Sequence, residues 1–407
     1  MPGFIKLLFT AFAQSITSFL YILMIMMVYL QIKNRTQLEE TWLGFLRDTV
    51  QNRLMSGMLY GMIAGLAASA LIVAAGIPID FNTILIIWPL ALILTLLNIR
   101  YLCFAYAGGL LSLVSLIFKW PDINVSAVIA FIGILHLTES MLILLDGHRD
   151  ALPVVMEHQR FKPIGAFVMS KLWPVPLIIL TTPGGILPAA AGRGIPMPAW
   201  WPVFSLQNQG GLILFPIAVI LEYSGLAVTD VPKMRTRLAG TLLGAYSLLM
   251  IGVAALSVNN WWLQLTGAAL MPLLHELISY WTKRGQLTGK PVFGAPWRGL
   301  RVLDVLPDKT GSRMGLMPGD IILNVNGKGV NSQEMLQEIL SSSPSYLWMD
   351  LKRRGRMISV EVRNFNRNKD ELGIVIVPRK ASRLFLADEQ YGLAYTMWKW
   401  LSRRRQL

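Results

Sequence analysis

One cysteine and four histidines stand in 407 residues. The single Cys103 excludes an intrachain disulfide and, with two close cysteines taken as the minimum, a thiol metal site as well. Charge is also scarce: 15% of the residues are Asp, Glu, Lys or Arg, against about a quarter in a soluble domain. Acidic residues are the rarer sign, 23 against 37 basic, which leaves a formal net charge of +14. The basic residues lie mainly in short loops between apolar runs and in the C-terminal tail. That placement suits an anionic membrane face and argues against nucleic acid as a partner. The first apolar run, which ends near Leu30, lacks a small-residue cleavage pattern, so it reads as a retained span and not a signal peptide.

What is present is apolar sequence, 54% of the chain. It is concentrated in residues 1–282, and ordinary polarity returns from 283 onward. The expected organisation is a membrane domain at 1–284, a small soluble domain at 290–380 and a basic, aromatic tail at 381–407. A spanning helix needs about 20 mostly apolar residues to cross about 30 Å of hydrocarbon. Candidate spans are 9–30, 54–77, 83–97, 101–118, 125–145, 164–180, 211–228, 238–258 and 261–281. Lys and Arg collect in alternate loops, for example Lys33, Arg35, Arg47 and Arg53, then Arg149, Arg160 and Lys162, then Lys233, Arg235 and Arg237. This alternation predicts a multi-pass protein of the cell membrane with its C-terminus in the cytoplasm. Nine spans put the N-terminus outside, and eight put both ends inside. The sixth span, with Lys171 and the break "WPVP" at 173–176, reads equally as re-entrant or interfacial. The loop 183–210 is rich in Pro and Gly, and its Trp200 and Trp201 suit an interfacial belt.

Two stretches in the membrane half tempt a catalytic reading. "HELIS" at 275–279 begins like the zinc helix of a site-2 intramembrane protease, and "LLDG" at 144–147 resembles that enzyme's second motif. Such a centre needs two His one helical turn apart, a Glu base and an Asp. Ser279 stands where the second His is required, and the two motifs are in reversed order. The expectation is therefore no catalytic set, no metal and no cofactor. His136 and Glu139 are three residues apart and share a helical face. They read as a structural pair ahead of a transport path. The alternatives kept are an active or degenerate site-2-type metalloprotease, and a transporter with a regulatory soluble domain.

The polar C-terminal part alternates like a small α+β domain. "GLRVLDVLP" at 299–307 reads as a strand and "DKTGSRMGL" as a short helix or turn. In 321–325, Ile321, Leu323 and Val325 are expected on one face and Ile322 and Asn324 on the other. Asn326-Gly327 is a hairpin turn signal. Asn331 is the expected cap of a helix whose stripe is Met335, Leu336, Ile339 and Leu340. A hairpin about Arg354-Gly355 and a last strand at 372–378 follow.

"MGLMPGDIILNVNG" at 314–327 resembles the core of bacterial PDZ domains. Gly315, Leu316, Gly319, Asp320, Asn326 and Gly327 carry the likeness. Leu316 is expected to plug the core, Gly319 to permit the turn and Asp320 to accept backbone N–H bonds. PDZ domains bind extended peptides at a sheet edge beside a helix. The resemblance implies a groove between Leu372, Gly373 and Ile374 in "ELGIVIV" and the helix bearing Met335, Leu336 and Ile339, with "FGAPWRGL" at 293–300 as a rival for the loop position. In the tail at 391–407, Trp398 and Trp400 beside Lys399 and Arg403 to Arg405 suit a helix on anionic lipid, or a disordered solubilising tail. A polytopic half followed by one cytoplasmic PDZ domain resembles the MinJ-like division-site factors of rod-shaped Gram-positive bacteria. That resemblance implies a membrane scaffold enriched at septum and poles, with DivIVA, MinC, MinD and divisome proteins as partners.

Overall fold

The structure, a computed structural model, describes residues 2–44, 46–157, 163–181, 212–342, 345–363 and 371–377. The loop 183–210 and the tail 381–407 lie outside the described residues. Among the described residues, three helices are long and apolar enough to cross a membrane: α3 (Val50–Ala75), α6 (Val125–Asp146) and α7 (Pro232–Ser257). A fourth span is possible by length if α1 (Pro2–Thr17) and α2 (Phe19–Leu43) are taken together, since they meet at a 51° bend. The break sits at Ser18, whose hydroxyl accepts from the Tyr21 N–H and starts α2 afresh. Two expected spans are the shorter apolar helices α4 (Phe81–Leu97) and α5 (Phe104–Phe118). The long α8 (Trp261–Thr288) closes the helical part.

The sixth and seventh expected spans are not helices. They form β2 (Ile164–Thr181) and β3 (Ile213–Ala227), an antiparallel hairpin in register from Phe167 opposite Ala227 to Thr181 opposite Ile213. The expectation of eight to nine helical spans is corrected accordingly. Proline explains the choice. Pro174 and Pro176 would each cost about 3 kcal/mol inside a helix. In the hairpin they lie opposite Ile220 and Ala218, and Pro216 lies opposite Ile178. The Ile178 N–H points away from β3, to the Ser69 hydroxyl at 2.9 Å. All three prolines share that parity, so the N–H each lacks is one that β2–β3 pairing never uses.

A two-stranded ribbon has two bare edges, and backbone polar groups buried away from water must be paired. The outer edge of β2 is covered residue by residue. Arg35 donates to the carbonyls of Val168 and Ser170. Next, α3 presents Gly57, Gly61 and Gly65 to the carbonyls of Leu172, Pro174 and Pro176. Ser69 accepts from Ile178, and the Ile79 N–H donates to the Leu180 carbonyl at 2.8 Å. The spacing of four puts Gly57, Gly61, Gly65 and Ser69 on one buried face of α3. Against β3, Ser15 of α1 donates to the Ile217 carbonyl at 2.6 Å.

Two buried basic side chains at the N-terminal end of the hairpin, Arg53 and Lys171, face carboxylates. Arg53 of α3 meets Glu39 of α2 at 2.6 Å. Lys171 lies 2.7 Å from Asp150 and 3.3 Å from Asp146, and the Trp173 indole donates to Asp146 at 2.9 Å. Two short strands extend the sheet at this end: β1 (Leu152–Met156) and β4 (Phe293–Gly294) both pair with β2.

A second sheet forms the C-terminal part. Its order is β10 (Ile374–Val377), β5 (Leu300–Val305), β6 (Ile321–Val325), β8 (Tyr346–Arg353) and β9 (Arg356–Arg363), with β7 (Lys328–Gly329) on β6. The helices α9 (Thr310–Arg313) and α10 (Gln333–Ser341) complete it. Two local expectations are corrected. The helix α10 is capped by Ser332, which accepts from the Met335 N–H, while Asn331 accepts from the Gly299 N–H. In β6 the pairing register with β8 shifts between Ile322 and Asn324. That bulge resets the alternation, so Ile322 and Val325 are both fully buried.

The two parts are joined by more than a linker. Through β4 the C-terminal part adds to the edge of β2, and Phe293, Leu303 and Val377 pack into the helical core. Arg47 reaches Asp304 at 3.0 Å. Burial pushes the Asp304 carboxyl above its ordinary range despite that cation. A Cβ on Gly165 would lie 2.7 Å from Leu303 and 2.8 Å from Val377 side-chain atoms. Gly165→Leu is therefore expected to wedge the two parts apart. Limited proteolysis of the 285–292 connection should then become at least about tenfold faster, a shift of about 1.4 kcal/mol in the docking equilibrium. Unchanged cleavage would show that the contact does not hold the parts together.

Candidate functional site

The motif residues at 315–327 build a tight structure around one carboxylate. Gly315, Gly319, Asn326 and Gly327 all have positive φ, which is why Gly or Asn stands at each. Asp320 is buried. Its carboxylate accepts the Met317 N–H at 2.9 Å and two bonds from Arg353 of β8, at 2.8 and 2.6 Å. The same guanidinium donates to the Gly315 carbonyl at 2.6 Å. The bond to Asp320 raises the Arg353 pKa further above its ordinary value. One ion pair thus fastens the turn to the sheet. Leu316 enters the apolar cluster of this domain. The Asn326 side chain donates to the Tyr346 carbonyl and accepts from the Trp348 N–H.

The residues expected to line a groove are brought near one another only in part. Leu336 and Leu372 are buried in the same cluster, and Ile339 and Ile374 are half-buried against it. Met335 is 41% exposed and faces outward from α10. Gly373 has φ +63° and gives its carbonyl to the Leu306 N–H at 2.8 Å. A Cβ there would collide with Lys309 at 2.3 Å, so glycine is required for the backbone itself. The strand β10 stands at the end of its sheet, paired with β5 on one side. The rival segment 293–300 is committed elsewhere, to β4 on β2 and to the start of β5.

In the helical part, His275 and Glu276 are not gathered with Asp146. Asp146 is held by Trp173 and Lys171 and lies ten residues past His136 on α6, about 15 Å along the axis. Asp146 therefore does not join His275 and Glu276. Glu276 accepts from Tyr106 at 2.6 Å and from Arg100 at 2.7 Å. The expected His136–Glu139 pair does not form: the ring nitrogens of His136 face the Ile132 carbonyl and the Cys103 sulfur. His275 also approaches Cys103. Spacing along one helix could not show this cluster, because its members come from the start of α5, from α6 and from α8.

No protein-family model matches the chain. Among curated proteins it is similar to the cell division topological determinant MinJ of Bacillus subtilis (strain 168), 26% identical over 261 residues, which is 63% of this chain and 62% of the relative. It is also similar to the probable cell division topological determinant MinJ of Lacticaseibacillus paracasei, 25% identical over 267 residues, 62% of this chain and 65% of that protein. The match thus spans less than two thirds of either relative's length. Several apolar helices, a β-rich C-terminal part and these relatives together make the chain similar to the MinJ division-site determinants.

Proposed function

We propose that this protein is a multi-pass membrane scaffold for division-site selection, and that its C-terminal sheet is a cytoplasmic PDZ domain that captures extended segments of partner proteins. The observation that carries the reading is β10. It is an edge strand following the Leu372-Gly373 turn, in a domain that also holds the Gly315–Gly327 motif about Asp320. Among the described residues β10 has no strand on its other side, and such an edge offers a row of backbone donors and acceptors to an incoming chain. The MinJ relatives support the division role; DivIVA, MinD and divisome proteins as partners at septum and poles are part of the proposal and rest on the resemblance alone. The reading includes no bond-breaking step. Fixing the module to the membrane raises the effective concentration of a weak binder beside membrane-bound partners.

Met335 gives a clean test, because its side chain is exposed and its loss leaves the core intact. The full-length chain in nanodiscs is titrated with purified DivIVA and MinD. Met335→Glu is expected to weaken capture about tenfold, the size of one well-packed contact, with thermal stability unchanged. Equal affinity of the parent and the Met335→Glu chain, or a reporter fusion that places residue 320 outside the cell, would sink the reading.

A further inference from the structure

We propose that Cys103, His136 and His275 form a binding site for a single zinc ion within the helical part. Their three donor atoms lie within 4.8 Å of one another. The Cys103 sulfur is 3.1 Å from His136 Nε2 and 3.7 Å from His275 Nε2. A tetrahedral zinc, with about 2.3 Å to sulfur and about 2.0–2.1 Å to imidazole nitrogen, separates sulfur from nitrogen by about 3.6 Å. The observed distances bracket that value.

The hydrogen bonds on the far side of each ring select the same nitrogen for coordination. Nδ1 of His136 lies 2.8 Å from the Ile132 carbonyl, which can only accept, so Nδ1 carries the proton and Nε2 the lone pair. Tyr106 donates its hydroxyl proton to Glu276 at 2.6 Å, so its oxygen accepts from His275 Nδ1 at 3.2 Å. Glu276 is in turn held by Arg100 at 2.7 Å. Both Nε2 lone pairs therefore face the sulfur, and both Nδ1–H groups are held by an acceptor behind the ring. This is the outer-shell arrangement that orients imidazole ligands on metals. Tyr246 stacks edge-on against both rings, 5.5 Å from His136 and 6.1 Å from His275 between centroids. A thiolate with two neutral imidazoles suits zinc, and three protein ligands leave one tetrahedral position for a small ligand. Binding replaces the thiol proton by the metal, and that proton leaves to solvent.

The test uses full-length protein in detergent, loaded with Zn²⁺ and freed of excess by gel filtration. It is expected to retain one zinc per chain by elemental analysis. Co²⁺ in its place should show a thiolate-to-cobalt charge-transfer band that Cys103→Ser removes. Tyr106→Phe removes the acceptor behind His275 together with the donor to Glu276 and should weaken Zn²⁺ binding about 10–100-fold. That variant keeps all three ligands, so it separates lost affinity from lost folding. Less than one tenth of a zinc per chain, a cobalt spectrum unchanged by Cys103→Ser, or retention of copper(I) in preference to zinc would each overturn the assignment. The three side chains would then be a hydrogen-bonded cluster or a site for another ion.

Discussion

Gly61→Ala is expected to prevent α3 from docking along the hairpin. A Cβ at that position would lie 2.2 Å from the Pro174 carbonyl oxygen and 3.1 Å from its carbon, both backbone atoms of a strand that is buried along most of its length. On helix propensity alone the change is favourable by about 1 kcal/mol. The clash must exceed that gain, because neither backbone can move without breaking the β2–β3 register or the buried Arg53–Glu39 pair. The net loss should be about 3 kcal/mol or more, at the upper end for overpacked sites. Gly65→Ala should behave alike, since its Cβ would come 2.1 Å from the Pro176 oxygen. Gly252 of α7 is the control, with nothing within 4 Å of the added atom. Gly252→Ala should be neutral or raise the melting temperature. Thermal unfolding of detergent-solubilised protein by size-exclusion profile reads all three. A Gly61→Ala melting point equal to that of the parent would mean that α3 and β2 are not in this contact.

The second large effect is expected from Asp320→Ala. The change removes the acceptor of three hydrogen bonds and leaves the Arg353 guanidinium, which is 22% exposed, without its counter-charge. Breaking a buried pair by deleting one partner costs about 3–5 kcal/mol. The loss should fall on the C-terminal sheet, because Asp320 also joins the turn to β5 through the Val302 N–H bond to its carbonyl at 2.8 Å. Hydrogen exchange should therefore rise throughout β5, β6 and β8 while α6 and α7 stay protected. Replacing both members, Asp320→Leu with Arg353→Met, should recover part of the loss. Slow exchange in the single variant would show that the ion pair is dispensable.

Hydropathy located what is buried more reliably than it located which backbone conformation is used. The segments 164–180 and 211–228 are as apolar as α6, and burial is what that measure reports. The conformation was written in Pro174, Pro176 and Pro216 and in the Val and Ile around them. The break at 173–176 was visible as a disturbance, but the partner strand lies beyond a long intervening loop. The C-terminal order of strand, short helix, strand, helix, hairpin and strand was legible because each turn there carries its own residues, Asn326-Gly327 and Arg354-Gly355 among them. The bulge in β6 and the cap at Ser332 were not, since both depend on the neighbouring strand or loop. The Cys103–His136–His275 cluster could not be read from spacing at all. Its members are 33 and 139 residues apart along the chain and meet only when three helices pack.

The residue-by-residue cover on the outer edge of β2 has a consequence for biogenesis. Residues 164–181 leave the ribosome after α1, α2 and α3 but before α7 and α8. In lipid an uncovered ribbon would be intolerable, so the earlier helices must already stand in place as a cradle when the strand arrives. Synthesis order thus mirrors dependency order: the chain makes the sheath first and the blade second, and a rearranged gene that delayed 1–75 would strand the ribbon without one.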